Sequence, residues 1–353
     1  MAKKNILEDR NSLVIQSISA LPAQLKQTWI NSSKIKISPQ YAKVKNIIFC
    51  GMGGSNLASE MIRAVFSAEI KLPFILVRNY DLPAFANKDT LVIISSYSGN
   101  TEEPINCFKQ ALKIKAKIIC IATGGKIAEI AKENKIPVLK MDEKLNPAQQ
   151  PRYGIGSQLG ASLNALNKCR IIKFSSSQIN SICNQLEELN VKWSDKSANN
   201  NETKISAQKL KGFMPLIISA DFLLPNAHIL TNQINESAKT LCLFNAIPEL
   251  NHHLMEGLEL PKEIIKKIKV IFLESDLYSK EIKKRFSVTE KVLEKKGIKF
   301  LKQKFSGKDK ISSGVEALCF GSWLSYYLSQ INHKDPTLIP WVNFFKEKLR
   351  QAK

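Results

Sequence analysis

The stretch "FCGMGGSNLASEM" (residues 49–61) sets three glycines and a serine between an apolar run and a segment that reads as a helix. Glycine tolerates positive φ and lets other groups approach the backbone, so Gly51-Met52-Gly53-Gly54-Ser55 reads as a tight, open loop at the end of a strand. A helix starting near Ser55 directs its unpaired N–H groups and the positive end of its dipole out of that loop, which suits an anion such as phosphate. Whether the anion belongs to a nucleotide or to a sugar is left to the rest of the chain.

On either side of this loop the pattern repeats. Short runs rich in Ile and Val occur at 46–50, 74–79, 90–96, 117–123 and 136–141, separated by segments of helical patterning. Continuous apolar runs alternating with helices predict a parallel sheet covered on both faces. Ahead of them, residues 5–30 read as a helical lead-in broken at Pro22. The stretch "EKLNPAQQPRYGIG" (143–156) interrupts the alternation with two prolines and two glycines, and a boundary is placed there, giving units 1–150 and 151–353. After a helical middle and the polar run 195–204, alternation resumes with strands expected at 213–220, 240–245, 269–275 and 298–305. The expected fold is therefore α/β, with two doubly wound, mostly parallel sheets flanked by helices.

The totals fit a globular protein. The chain has 353 residues and is 44% apolar, enough for a substantial core. No apolar run approaches the roughly 20 residues of a membrane span, and the start "MAKKNILEDRNSL" lacks the apolar region of an export signal, so the cytoplasm is the expected place. Seven scattered cysteines form no C-x-x-C pair, which points to buried thiols in a reduced compartment and to no zinc site. The formal charge of +21 comes from lysines strewn along the whole chain, without a basic domain or a stacking pattern for bases. It reads as a solvated surface that also attracts small anionic substrates, and nucleic acid is not the expected partner.

A second loop of the same kind is "SSYSGNTEEP" (95–104), again between a strand and a helix. Ser96, Ser98 and Thr101 supply hydroxyls, Gly99 permits the turn, and Glu102 and Glu103 fall in the first helical turn, where acids suit the dipole. Either loop alone could be ordinary turn and cap chemistry. Together they match the rule that loops at the carboxyl ends of neighbouring strands meet at the ligand crevice of a doubly wound sheet. A dinucleotide reading of Gly51-x-Gly53 with Asp81 as ribose acid falls short, because the third glycine of its fingerprint would fall at Asn56. Gly53, Gly54, Ser55, Ser96, Ser98 and Thr101 are the candidate phosphate-binding residues.

"GMGGS" with "SYSGNTEE" resembles the sugar isomerase (SIS) domain. The later pieces "QQPRYGIGSQLGA", "NQINESAKT", "PELNHHLMEG" and the terminal "SYYLSQINHKDPTLIPWVNFFKEKL" resemble the bifunctional phosphoglucose/phosphomannose isomerase family in particular. The resemblance runs from about residue 40 to the end and rests on the order and spacing of these motifs. It implies interconversion of glucose 6-phosphate, and mannose 6-phosphate, with fructose 6-phosphate through a cis-enediol(ate). That chemistry moves a proton between C2 and C1 and requires no metal or redox cofactor. On the matching positions, Glu236 is the proton-carrying base, His252 the ring-opening histidine, Arg152 the cation near C1 and O1, and Lys346 the terminal active-site lysine. Lys348 rivals Lys346, and His253 is the second candidate for the histidine. The family's N-H-N-E reads Asn251-His252-His253-Leu254 here, so the carboxylate at 254 is lost. The resemblance further implies a homodimer in which His252 reaches the neighbouring subunit's site. Two other classes compete: a sugar-phosphate-binding SIS regulator without chemistry, and a nucleotide-dependent enzyme.

Overall fold

The computed structural model describes residues 2–194 and 200–352; positions 195–199 of the polar run lie outside the described residues. The described residues include nine strands. β1 (Asn46–Cys50), β2 (Phe74–Val77), β3 (Thr90–Ser96), β4 (Lys117–Ala122) and β5 (Val138–Lys140) form a parallel sheet of order β2-β1-β3-β4-β5. β6 (Met214–Ala220), β7 (Leu243–Ile247), β8 (Ile268–Ser275) and β9 (Lys299–Phe305) form a second parallel sheet of order β7-β6-β8-β9. In both sheets the first strand lies between the second and the third. The chain thus leaves the first strand toward one side and returns on the other, which opens a crevice between the carboxyl ends of β1 and β3, and likewise of β6 and β8.

The continuous apolar runs are explained by burial on both faces. Ile47 and Phe49 enter the large core that spans the whole chain, while the alternating Ile48 and Cys50 enter a smaller cluster with Ile94, Phe108 and Ile118 on the opposite face.

The helical lead-in is two helices, α1 (Ala2–Ser19) and α2 (Leu21–Ser33), with Pro22 in the first turn of α2, where its missing N–H costs nothing. The first sheet is served by α3 (Gly54–Val65), α4 (Glu102–Lys113) and α5 (Gly125–Glu133). The interrupting stretch forms two 3-10 turns, Glu143–Leu145 and Pro151–Tyr153. Then come α6 (Ile155–Lys168), α7 (Ser176–Trp193), α8 (Glu202–Leu210) and α9 (Leu224–Gln233). α6, the first helix beyond residue 150, packs on α2 and α3 of the first half. The helix Lys310–Ile331 is buried from Ile311 to Ser329 and packs against α3, α7, α8 and α9, so it serves as the shared spine.

One strand begins later than its composition suggests. The run 240–245 was expected as strand, but pairing with β6 starts at Leu243. Asn235 explains the delay: its amide donates to the Cys242 carbonyl at 3.0 Å and accepts from the Cys242 N–H at 3.0 Å, which holds the main chain away from the sheet.

Candidate active site

Both glycine loops emerge at the β1/β3 crevice. Gly53, with φ of 49°, precedes α3, and the Ser55 hydroxyl oxygen accepts the Tyr97 N–H at 2.8 Å, so one hydrogen bond ties the two loops together. That bond occupies a lone pair of Ser55 and leaves its O–H to point elsewhere. In the second loop Ser96, fully buried, accepts the Gly99 N–H at 3.1 Å and pairs with the Thr101 hydroxyl at 2.9 Å. Ser98 stays exposed and accepts the Asn100 N–H at 3.3 Å. Ser96 therefore shapes the turn from within, while Ser98 and Thr101 line its outer side at the start of α4.

Gly99 takes φ of 71°, and a β-carbon there would lie 1.8 Å from the Gly124 carbonyl oxygen. The loop after β4, Thr123-Gly124-Gly125, packs that closely against it: Thr123 donates its hydroxyl to the Tyr97 carbonyl at 2.8 Å, and Ile127 N–H donates to the Gly99 carbonyl at 2.9 Å. This third loop supports the second and escaped the sequence reading.

The interrupting stretch brings the first loop to the charged residues. A β-carbon on Gly54 would sit 2.9 Å from the Pro151 β-carbon and 3.4 Å from the Arg152 nitrogen, so the absence of a side chain at 54 is what admits the turn Pro151–Tyr153. Asn146 holds that turn by donating to the Tyr97 hydroxyl at 2.8 Å and to the Gln150 carbonyl at 2.9 Å.

Arg152 is 2% exposed, and each of its five N–H donors has an acceptor. Nε donates to Ser237 at 3.0 Å, and Nη1 to Gln150 Oε1 at 3.0 Å and to Glu236 Oε2 at 2.8 Å. Nη2 donates to the carbonyls of Pro336 at 2.5 Å and Thr337 at 3.3 Å. Ser237 is in turn bonded to the Tyr153 hydroxyl at 2.7 Å. A buried cation so completely paired holds a fixed orientation, and removal of any partner would leave a donor unsatisfied.

Glu236 lies on a π-helical turn, Ile234–Ala238, that continues α9 and ends at Lys239 in the left-handed conformation. Widened turns of this kind re-aim side chains and recur at functional sites. The Glu236 side chain is 33% exposed, with Oε2 on Arg152; among the described residues Oε1 has no hydrogen bond.

The structure thus gathers Gly53, Gly54, Ser55, Ser96, Ser98, Thr101, Arg152 and Glu236 around one crevice. His252 and His253 are exposed at the end of the 3-10 turn Glu249–His252, whose Asn251 is anchored to Thr289 at 2.8 Å. Lys346 and Lys348 are on the terminal helix Pro340–Gln351, every residue of which is exposed. Among the described residues no hydrogen bond or ion pair joins these four to Arg152 or Glu236. Tyr97, Gln150, Ser237, Lys239 and the 336–338 carbonyls are site constituents that sequence reasoning missed. Tyr97, Gln150, Ser237 and Lys239 sit inside quoted motifs, whereas main-chain carbonyls leave no mark in a sequence.

Comparisons with known proteins agree with this fold. The SIS domain family matches residues 40–163, and the bacterial phospho-glucose isomerase C-terminal SIS domain matches residues 199–349. The bifunctional phosphoglucose/phosphomannose isomerase of Caldicellulosiruptor bescii is 28% identical over 343 residues, covering 96% of this chain and 100% of that protein. That of Aquifex aeolicus is 28% identical over 318 residues, covering 89% of this chain and 93% of its own. A crystal structure of a hypothetical protein from Thermus thermophilus superposes with a TM-score of 0.76 at 13% identity, covering 99% of this chain and 95% of the other, a likeness of fold. The chain thus carries a SIS domain followed by a bacterial phospho-glucose isomerase C-terminal SIS domain, and over most of its length it is similar to bifunctional phosphoglucose/phosphomannose isomerases.

Proposed function

We propose that the chain is an aldose–ketose isomerase that interconverts glucose 6-phosphate, and mannose 6-phosphate, with fructose 6-phosphate through a cis-enediol(ate). The observation that carries this reading is the Arg152–Glu236 pair at 2.8 Å, with Arg152 on a turn whose main chain packs against Gly54 of the first loop. A phosphate anchor, a carboxylate with one free oxygen and a fixed guanidinium stand side by side, which are the parts a proton shift between adjacent carbons needs.

In this mechanism the 6-phosphate is held by the N–H groups of Gly53 and Gly54 and by the hydroxyls of Ser55, Ser98 and Thr101, with Ser96 bracing the turn. Glu236 Oε1 takes the proton from C2 or C1 and returns it to the other carbon. Arg152 fixes the carboxylate through Oε2 and places positive charge beside the developing enediolate oxygen. Glucose and mannose phosphates differ at C2 and share the enediol(ate), so one base serves both if the site admits both C2 geometries.

Ring opening falls to His252, or to its neighbour His253, supplied by a second copy of the chain, as the family resemblance implies. Lys346, or Lys348, adds charge from the terminal helix in the assembled site. A cytoplasmic location fits the seven free, buried cysteines.

The test is turnover of purified protein with fructose 6-phosphate, with glucose 6-phosphate and mannose 6-phosphate detected separately. Formation of both is expected. Binding of fructose 6-phosphate with no product would replace the isomerase by a sugar-phosphate-binding regulator.

A further inference from the structure

Three consecutive carbonyls, of Pro336, Thr337 and Leu338, face two cations. Arg152 takes the first two, and Lys239 Nζ donates to the third at 2.6 Å. The same Nζ donates to the main-chain carbonyl of Glu236. Lys239 can do both because, at φ of 53°, it ends the π-turn in the left-handed conformation and its side chain doubles back over residues 236–238. One ammonium therefore fastens the turn that carries the carboxylate to the segment that closes around the guanidinium.

That segment is itself rigidly held. Asp335 Oδ1 accepts the Thr337 N–H at 2.8 Å and the Thr337 hydroxyl at 2.6 Å, while Oδ2 accepts from Arg10 of α1 at 2.6 Å. A lysine that merely capped a helical turn would bond the Glu236 carbonyl alone; the bond to Leu338, 99 residues away, makes it a brace.

We infer that Lys239 is a positioning residue of the isomerase site, which pins the Glu236 turn to the 336–338 segment and so fixes the carboxylate relative to Arg152. The inference rests on the reading above in which Glu236 carries the proton. The charged groups facing Lys239 are Arg152 and Lys334, which oppose its charge, and Asp335 and Glu236, which favour it. Although much of the side chain is open to solvent, desolvation of its end and the nearby Arg152 push the ammonium down to about 8. The brace accordingly loses its charge-assisted hydrogen bonds as pH rises past that value.

The experiment compares Lys239→Met, Lys239→Arg and Glu236→Gln in steady-state conversion of fructose 6-phosphate to glucose 6-phosphate between pH 6 and pH 10. Lys239→Met is expected to lower kcat about tenfold with KM within about twofold, the signature of a misplaced group rather than lost binding. Lys239→Arg is expected to restore kcat at neutral pH and to move the alkaline fall in kcat upward, because a guanidinium does not titrate there. Wild-type kcat in Lys239→Met, or an alkaline limb unmoved in Lys239→Arg, would overturn the inference. If Lys239→Met does not fold, the alkaline limb of Lys239→Arg decides. Full activity in Glu236→Gln would instead remove the functional reading beneath it, whereas an inactive Glu236→Gln beside a normal Lys239→Met would remove the brace alone.

Discussion

The two sheets share a strand order and differ at their crevices. Between β1 and β3 the strand ends carry Gly51, Gly53, Gly54, Ser55, Ser96, Ser98, Gly99 and Thr101, all small and uncharged residues. Between β6 and β8 the corresponding ends carry Asp221, Asp276 and Tyr278. Asp221 is a non-glycine residue at φ of 44° and pairs with Lys310 at 3.7 Å, while Asp276 pairs with Lys304 at 2.8 Å. The Tyr278 ring lies against Phe222 and Phe286, and its hydroxyl reaches Ser219 at 3.2 Å, the Ala220 N–H at 3.4 Å and the Leu273 carbonyl at 3.1 Å. It spans the ends of both strands where the first sheet is open, and its phenol is pushed above the ordinary range by burial. A doubly wound order creates a crevice; side-chain size and charge at the strand ends decide whether an anion can enter it. The second half contributes differently, by turning α9 through a π-turn that carries Glu236 across to the first half's loops.

That division of labour can be broken at its strongest point first. Glu236→Gln keeps the shape of the second half's contribution and removes the base, so kcat should fall about 100-fold or more with sugar-phosphate affinity preserved. Near-normal turnover in the folded variant would assign the base elsewhere. Gly99→Ala attacks the first crevice, because its β-carbon cannot coexist with the Gly124 carbonyl 1.8 Å away. The loop must be displaced, and affinity for fructose 6-phosphate, measured by calorimetry, should drop at least about tenfold. Ser98→Ala combined with Thr101→Val should weaken glucose, mannose and fructose 6-phosphates alike, by about tenfold, through two lost bonds to a charged group. The matched change at the other crevice, Tyr278→Phe, should leave those affinities unaltered; an equal loss there would show that both crevices bind.

The smallest effect concerns how the halves are joined. Glu60 of α3 accepts from Arg78 at 2.6 Å and from His228 of α9 at 2.8 Å, and His228 stacks on Phe244 of β7 with centroids 5.0 Å apart. Burial works to raise the Glu60 carboxyl, but the hydrogen bond and charge of His228, with Arg78 and Arg63, outweigh it and hold the carboxyl below its ordinary value. A carboxyl lowered in the folded state adds stability above its unfolded pKa and loses it as pH falls through the folded value. Glu60→Gln should therefore lower Tm by a few degrees at pH 7 and make no difference in strong acid. An equal deficit at both pH values would mean that the contact is steric.

Much of the fold was legible because parallel strands buried on both faces write themselves as unbroken apolar runs, as "NIIFC" and "TLVIISS" do. The start of β7 was not, since nothing in "TLCLFN" signals that Asn235 will hold Cys242 off the sheet. The two glycine loops were legible as loops at strand ends from their glycine and hydroxyl residues alone. Arg152 and Glu236, 84 residues apart, became candidates through family motifs, and no spacing rule foretells that they meet. The brace at Lys239 and its carbonyl acceptors stayed invisible, because a main-chain oxygen is the same atom in every residue. His252 and Lys346 mark another limit: a motif names a residue, while one copy of the chain leaves both of them exposed on their own elements.

The five acceptors around Arg152 also impose an order of events on synthesis. Gln150 leaves the ribosome just ahead of the guanidinium, but Glu236 and Ser237 emerge with the second half, and the Pro336 and Thr337 carbonyls some 184 and 185 residues later. While the first sheet can already close around Phe49 and Ile94, its arginine must remain hydrated and unburied until translation is nearly finished. The candidate crevice is thus among the last parts of the nascent chain able to mature, and a polypeptide arrested short of residue 336 would carry formed glycine loops beside an unfinished cation.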